Sequence, residues 1–395
     1  MSSPRKVLHV DLDAFFCSVE EILDPSLKGK AFVVGGRPDS RGVVASASYP
    51  ARQFGIRSAM PTAQAVRLCP GLIVLSSHRK DYAGYSHQIM ELLRDSAPLI
   101  EQLSIDEAFL DVTGDRRAGE EIARHLQEAI SGQFHLPTSW GAASNKLVAK
   151  IATEVGKPKG LVVVPAGEEE AFLAPLPVGM LWGVGPKTQA SLADLGIQTI
   201  GGLAQSPIHQ LRPVFGERAS ELIARARGED DRPVEGRRDP KSISGETTFA
   251  RDLSERRALE GVLRELSEEV GRRLRAEGFS GSTVRLKLRW PDFTTITRQT
   301  RTAQPTNLDL EIFETVLGLF DKVWRTGRPV RLLGVGVADL APPIRQLGLF
   351  ESGRQQDENL VHALDEIRQK YGKHALRRAS QLEERDPDPK EENTG

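Results

Sequence analysis

Two acidic segments, far apart in the chain, hold the side chains best suited to chemistry: Val-Asp-Leu-Asp-Ala-Phe-Phe at 10–16 and Ser-Ile-Asp-Glu at 104–107. Each adjoins an apolar run, with Val7, Leu8 and Val10 leading into Asp11, and Phe109, Leu110 and Val112 following Asp106 and Glu107. Strands there would deliver three carboxylates to one edge of a sheet, where they would repel one another unless a cation neutralised them. Hard dications with oxygen ligands suit such a cluster, and Mg²⁺ prefers a site that a substrate phosphate completes. Those are the ingredients of two-metal phosphoryl or nucleotidyl transfer. Asp13, just ahead of a helical pattern over Ala14–Leu23, fits instead a helix N-cap.

The neighbouring residues extend the theme. An aromatic at Phe15 or Phe16 beside a metal site would lie against a nucleotide sugar and exclude a 2′-hydroxyl by steric clash. One of the pair is equally suited to the core. Tyr49-Pro50-Ala51-Arg52 follows a strand pattern and Lys157-Pro158-Lys159-Gly160 follows a helix, so that Tyr49, Arg52 and Lys157 offer the donors and charge a triphosphate needs. Gly183-Val184-Gly185-Pro186-Lys187 opens a helix, and its glycines would let backbone N–H groups approach a phosphate with Lys187 adding charge. A simple turn between helices satisfies the same residues. Over 282–290, Val284, Leu286, Leu288 and Trp290 share one strand face, while Thr283, Arg285, Lys287 and Arg289 share the other. That cation stripe is either a track for a phosphate backbone or a solvated outer face. Gln346-Leu347-Gly348-Leu349-Phe350 carries apolar side chains beyond the last domain pattern, suited to a partner's pocket or to packing back on that domain.

The elements that must position these groups fall into blocks. Residues 1–166 alternate strand-like and helix-like patterns, as an α/β domain does. Strands are expected at 31–34, 42–45 and 139–143, and helices at 61–68, 83–94, 120–131 and 145–155. A proline-rich break at 165–177 precedes a small helical region, and an arginine-rich polar stretch at 228–240 has linker composition. The remainder reads βαββαβ, with strands at 247–250, 282–290, 293–302 and 330–338 and helices at 259–274 and 308–324, the order of the split-βαβ folds. A further helix is expected at 358–371, and the last residues, Asp-Pro-Asp-Pro-Lys-Glu-Glu-Asn, have the composition of a disordered tail.

Composition narrows the class. At 395 residues the chain has room for about two to four domains. No apolar run approaches the roughly 18–20 residues that cross a bilayer, and the N-terminus lacks a signal peptide's apolar stretch. Two cysteines, Cys17 and Cys69, make neither a Cys-rich zinc site nor a disulfide framework, which fits a reducing cytoplasm. The net charge of −1 masks an uneven spread, since 11 acidic and 8 basic residues lie from Glu351 onward.

Together Val-Asp-Leu-Asp-Ala-Phe-Phe, Ala-Ser-Tyr-Pro-Ala-Arg-Gln-Phe-Gly-Ile, Leu-Ser-Ile-Asp-Glu-Ala-Phe-Leu-Asp-Val and Ser-Asn-Lys-Leu-Val-Ala-Lys-Ile-Ala-Thr resemble the Y-family translesion DNA polymerases of the DNA polymerase IV (DinB) type, over residues 5 to about 350. The resemblance implies an α/β (α+β) multi-domain fold: a ferredoxin-like palm at 1–166 with fingers inserted at 20–77, a helical thumb at 167–235, a linker at 236–243, and a βαββαβ little finger at 244–342. It implies low-fidelity, template-directed addition of deoxynucleotides to a primer end with two Mg²⁺ ions, Mn²⁺ being able to substitute. The metal ligands would be Asp11, Asp106, Glu107 and the Leu12 carbonyl. Phe16 would be the sugar gate. Phe15, Ser46, Tyr49, Arg52 and Lys157 would meet the nucleotide, and Gly42 and Val43 would roof the nascent base pair. DNA contacts would fall on Gly183, Gly185, Lys187, Arg285, Lys287, Arg289 and Arg331. Gln346, Leu347, Leu349 and Phe350 would bind the sliding clamp, with 343–395 forming that peptide and a tail, and the enzyme would be a cytoplasmic monomer with no membrane partner. Two departures stand out: Ala14 occupies a place where relatives often carry a larger residue, and the strand at 331–336 carries a single cation. An inert polymerase-like adaptor and a nucleotide cyclase are the rival readings; the cyclase has no use for the hairpin, the cation stripe or the clamp peptide.

Overall fold

The computed structural model describes residues 5–236, 239–343, 352–372 and 375. The chain divides into two compact units, 1–238 and 239–395.

In the first unit the strands are β1 (Val7–Leu12), β2 (Phe32–Gly35), β3 (Val44–Ala47), β4 (Ile73–Leu75), β5 (Leu99–Gln102), β6 (Glu107–Asp111), β7 (Thr138–Ala143) and β8 (Leu161–Val163). Five of them form a mixed sheet in the order β5-β6-β1-β7-β8, and three form a small sheet in the order β3-β2-β4. Both faces of the larger sheet are covered, which explains why β1 is buried at every position. Leu8, Val10, Leu110 and Trp140 pack with the apolar stripes of the helices Arg79–Ser96 and Gly119–Phe134. Val7 and Phe109 pack on the other side with the helix Lys146–Gly156 and the short helices that follow it. That second packing is close: a Cβ on Gly141 would lie 2.0 Å from the Ala149 carbonyl oxygen, so only glycine lets this helix lie against β7. Asn145 starts the helix, its side chain accepting a hydrogen bond from the Val148 N–H at 3.0 Å.

The second unit is a four-stranded antiparallel sheet, β11-β10-β12-β9, built from β9 (Ser242–Leu253), β10 (Ser280–Arg289), β11 (Thr295–Thr306) and β12 (Val330–Ala341). The helices Arg256–Ala276 and Asp309–Val323 bury Leu263, Val270, Ile312 and Val316 with the inward residues of β10 and β12. A terminal helix, Ser352–Tyr371, docks on this unit: Val361 is buried, and Asp365 accepts from Arg275 at 2.6 Å.

The element types follow the sequence pattern, and the boundaries move. β9 runs well beyond 247–250 because β12 pairs with it from Ser242 onward. β3 starts at Val44 rather than at Gly42, since Val43 bridges to Pro61 and the chain at Gly42 turns tightly against Gly36. The hairpin to β11 closes over 290–294, where Phe293 takes a φ of 67°. The terminal helix begins ahead of 358. The clamp-peptide segment 346–350 and the acidic end of the tail lie outside the described residues.

Candidate active site

The two central strands of the larger sheet bring the carboxylates together. β1 and β6 are antiparallel with Asp11 opposite Glu107, so the two side chains are cross-strand neighbours. Beyond the ladder, the Leu12 N–H donates to the Asp106 carbonyl at 2.9 Å, which draws Asp106 alongside. Ser104 shapes the turn: its hydroxyl donates to Asp106 Oδ1 at 2.5 Å and accepts the Glu107 N–H at 3.1 Å.

Each of the paired acids carries a lysine. Lys157 Nζ lies 2.8 Å from Asp11 Oδ2 and 2.8 Å from Glu154, and Lys150 Nζ lies 2.7 Å from Glu107 Oε1. Burial nonetheless pushes the Asp11 carboxyl up to about 7; Lys157 opposes that rise, and the charge of Glu107 adds to it. Burial also raises Glu107, but Lys150 outweighs it and holds the group below its ordinary value. Behind Lys150 stands His9, buried in β1, hydrogen-bonded to Thr153 Oγ1 at 2.9 Å and kept neutral by burial and by the lysine.

The three acids do not form a ready-made cage. Among the described residues no three His, Cys, Asp or Glu side chains converge closely enough to hold a metal ion. Asp11 and Glu107 are turned to Lys157 and Lys150, and Asp106 to Ser104. The donor set still fits a hard dication, being all oxygen and joined by strand register and the Leu12–Asp106 bond.

Asp13 corrects the sequence reading. The helix Phe15–Leu23 has no side-chain cap, and its first flanking residue, Ala14, is left-handed at φ 45° and ψ 42°. Asp13 is instead fully buried and accepts from Ser139 Oγ, the Lys159 N–H and the Tyr49 hydroxyl.

The aromatic pair divides cleanly. Phe15 is core, and Phe16 is partly exposed and stacked on Tyr82, with ring centroids 4.3 Å apart at 12°. The Tyr82 hydroxyl donates in turn to the buried Glu20 carboxylate, which also meets His78 Nδ1 at 2.8 Å. Glu20 lies four residues beyond Phe16 on one helix, a spacing that could have marked it as a support for the Phe16–Tyr82 stack.

Tyr49 and Arg52 occupy one short helix, Tyr49–Arg52, and the guanidinium lies 4.8 Å from the Tyr49 ring centroid while its Nε donates to the Ala47 carbonyl. Ser46 is buried, and burial pushes the Cys17 thiol up to about 12, a rise that Ser46 partly opposes. Val43 is 52% exposed, and a Cβ on Gly42 would lie 2.4 Å from the Gly36 carbonyl carbon. Gly183 has a φ of 97°, Gly185 precedes the helix Pro186–Asp194, and Lys187 is exposed.

Comparison with known proteins places the chain in a family. Residues 10–154 match the impB/mucB/samB family, residues 240–349 match that family's C-terminal domain, and residues 166–197 match its helix-hairpin-helix (HHH) motif. A protein named DNA polymerase IV from Dehalococcoides mccartyi strain 195 is 45% identical over 372 residues, covering 93% of this chain and 95% of the relative. The chain belongs to the Y-family DNA polymerases. A second relative, the DNA polymerase IV of Desulfatibacillum aliphaticivorans, is 41% identical and covers 93% of this chain and 94% of its own. Among solved structures, a Y-family polymerase chimera of Dbh and Dpo4 superposes with a TM-score of 0.76 at 28% identity, and an insertion ternary complex of Dbh DNA polymerase with 0.64 at 28%; each covers 86% of this chain and 100% of its own.

In the second unit of this Y-family chain, the cation stripe lies on the sheet face opposite the helices. Arg285 donates to Gln299, Arg289 to Thr295, and Lys287 pairs with Glu246 at 2.6 Å. Between them β12 presents Gly334, Gly336 and Ala338, because Leu333, Val335 and Val337 point into the core. The result is a trench of about 240 Å³ floored by backbone and walled by Arg285, Lys287, Ser244 and Glu246. The alternating glycines of β12 were the missed signal. Arg331 stacks over Phe293, with the guanidinium 4.2 Å from the ring centroid.

Proposed function

We propose that Asp11, Asp106, Glu107 and the Leu12 carbonyl hold two Mg²⁺ ions, for which Mn²⁺ can substitute, in an enzyme that extends a DNA primer along a template. The enzyme is a DNA-directed DNA polymerase of the translesion class. The observation that carries the site is the β1–β6 register, which sets Asp11 against Glu107 at the end of the central strands. When bound, the ions acidify the primer 3′-hydroxyl and neutralise the triphosphate.

The chain's own residues supply the rest. Tyr49, Arg52 and Lys157 orient the triphosphate and balance the charge that grows on the leaving pyrophosphate. Phe15 and Ser46 complete the nucleotide pocket, and Gly42 and Val43 lie over the base pair. Phe16, its plane fixed by Tyr82, excludes a 2′-hydroxyl. Deoxynucleoside triphosphates and primer–template DNA are the substrates. Gly183, Gly185 and Lys187 meet the DNA backbone, as do Arg285, Lys287, Arg289 and Arg331.

In this reading residues 1–166 are the palm with fingers at 20–77, 167–235 the thumb, 236–243 the linker and 244–342 the little finger. Gln346, Leu347, Leu349 and Phe350 bind the sliding clamp, and the enzyme is a cytoplasmic monomer. Among the described residues no helix is long and apolar enough to cross a membrane.

A primer-extension assay with Mg²⁺ tests the assignment. Wild-type protein should add deoxynucleotides, and Asp106→Ala should lose extension while keeping its affinity for primer–template. Near-normal extension by that variant would remove Asp106 from the metal site.

A further inference from the structure

The mechanism leaves one buried acid without a task. Asp13 is fully buried two residues beyond Asp11, and its carboxylate is saturated by groups from three separate parts of the first unit. Ser139 Oγ on β7 donates within 2.8 Å of Oδ1 and 3.0 Å of Oδ2. The Lys159 N–H donates to Oδ2 at 2.8 Å, and the Tyr49 hydroxyl donates to Oδ1 at 3.2 Å. The backbone around it is fixed as well: its N–H donates to Pro137, its carbonyl accepts from Ser18 Oγ at 2.6 Å, and the left-handed Ala14 follows. A left-handed alanine costs about 1 kcal/mol, and such outliers persist where the surroundings fix them.

We infer that Asp13 is a positioning residue for the triphosphate-binding side chains, a conclusion that rests on the roles given above to Tyr49 and Lys157. One carboxylate oxygen reaches the short helix that carries Tyr49 and Arg52. The other holds the loop in which Lys157 stands two residues before Lys159. Ser139 anchors both oxygens to the central sheet. Asp13 thus ties the two sides of the triphosphate pocket to one rigid strand end, and this preorganisation strengthens nucleotide binding before any bond changes. Its bond to Tyr49 is the exchangeable arm. A phenol has one proton to donate, so a phosphate oxygen takes it only by displacing Asp13, whereas the Lys159 arm persists through turnover.

Steady-state single-nucleotide insertion, with primer–template affinity measured in parallel, tests this. Asp13→Ala removes both carboxylate oxygens, so the Lys159 and Tyr49 arms are lost together, whereas in Asp13→Asn the amide N–H could donate to the Tyr49 hydroxyl and keep that arm. In Asp13→Ala the KM for the incoming nucleotide should rise about tenfold, with kcat within about threefold and primer–template affinity unchanged. Combined with Tyr49→Phe, the KM rise should fall short of the product of the single effects, because the two variants remove one shared bond. Ser139→Ala, which cuts the anchor without touching Asp13 itself, should raise the same KM about threefold and so carries the test if Asp13→Ala does not fold.

An unchanged KM in the folded variants overturns the inference. So does a fall in kcat at constant KM, or a loss of primer–template affinity that tracks the KM. Failure of the underlying polymerase assignment has a different signature: wild-type protein would then not extend primers, or Asp106→Ala would extend them normally.

Discussion

The carboxylate site of the first unit and the open sheet face of the second handle charge in opposite ways. Around Asp11 the charges are largely withdrawn from solvent, and the two paired acids each have a cation: Lys157 for Asp11 and Lys150 for Glu107. On the sheet face Arg285, Lys287 and Arg289 stand at the surface and lean on Gln299, Glu246 and Thr295. In a site shielded from water each charge interacts strongly, so single substitutions there should change the chemistry outright. Surface cations act through screened, additive terms, so the sheet face should lose binding gradually and in a salt-dependent way.

The largest effect should come from Asp106→Ala. Extension should fall by on the order of 10³-fold or more in kcat, the scale of removing an electrostatic group at the reacting atoms. Primer–template affinity, read by fluorescence anisotropy, should stay within about twofold because the surface cations are untouched. An affinity loss as large as the rate loss would erase the division between the two regions.

The next test asks whether burial, rather than location in the first unit, sets the scale. The second unit also holds a buried charge: the Arg275 side chain is 4% exposed and reaches both Asp309 and Asp365. Burial lowers the tendency of this guanidinium to stay charged, but its carboxylate partners outweigh that and raise it. Arg275→Met strands two acids and should destabilise the second unit by about 3–5 kcal/mol in denaturant titrations. It should also weaken docking of the terminal helix, which a faster amide exchange over 359–371 would report. A change below about 1 kcal/mol would mean that the network is solvated in practice.

These contrasts bear on what the sequence made legible. The cation stripe was readable because it rests on the two-residue period of a strand, and the acids because they adjoin apolar runs that read as strands. The Phe15–Phe16 division was only half within reach: successive residues of a helix point about 100° apart, yet this helix buries the neighbours Ser18, Val19 and Glu20. Asp13 was out of reach. A short acid before a helix fits a cap, and the groups that claim it instead, Ser139 and Lys159, are 126 and 146 residues away in the chain. Tertiary partners of that kind leave no local mark. The same holds for the lysines that pair with the carboxylates: the motif containing Lys150 was visible, but its pairing with Glu107 depends on how the helix Lys146–Gly156 lies over β1. β9 was underestimated for a related reason, because its outer residues are polar and are held in the strand by β12.

Phe16 sits between the two extremes, partly exposed yet fixed by its stack on Tyr82. Phe16→Ala removes the wall without removing a charge. Ribonucleotide insertion should rise relative to deoxynucleotide insertion on the order of 10²-fold, measured as a ratio of kcat/KM values. Unchanged discrimination would take the gate role away from this residue. Replacing Arg285, Lys287 and Arg289 together by alanine should act oppositely, lowering primer–template affinity by about tenfold at moderate salt with kcat preserved at saturating DNA. The slope of log affinity against log salt should become shallower by about two to three contacts.

The smallest effect is also the sharpest test of how the sheet face is tuned. Lys287 spends part of its charge on Glu246, 2.6 Å away, with the two side chains 35% and 51% exposed. An exposed pair of this kind contributes between about 0 and 1 kcal/mol to stability, so Glu246→Ala should leave the unfolding midpoint nearly unchanged. It should, however, release the ammonium and remove a negative charge from the wall of the trench. Primer–template affinity should then rise by about threefold at low salt, the salt slope should steepen by no more than about one contact, and the gain should vanish at high ionic strength. Glu246→Gln should behave the same way, because only the charge matters. If either variant weakens binding, then Glu246 holds Lys287 in the orientation that DNA needs, and the sheet face shares the preorganised character of the carboxylate site.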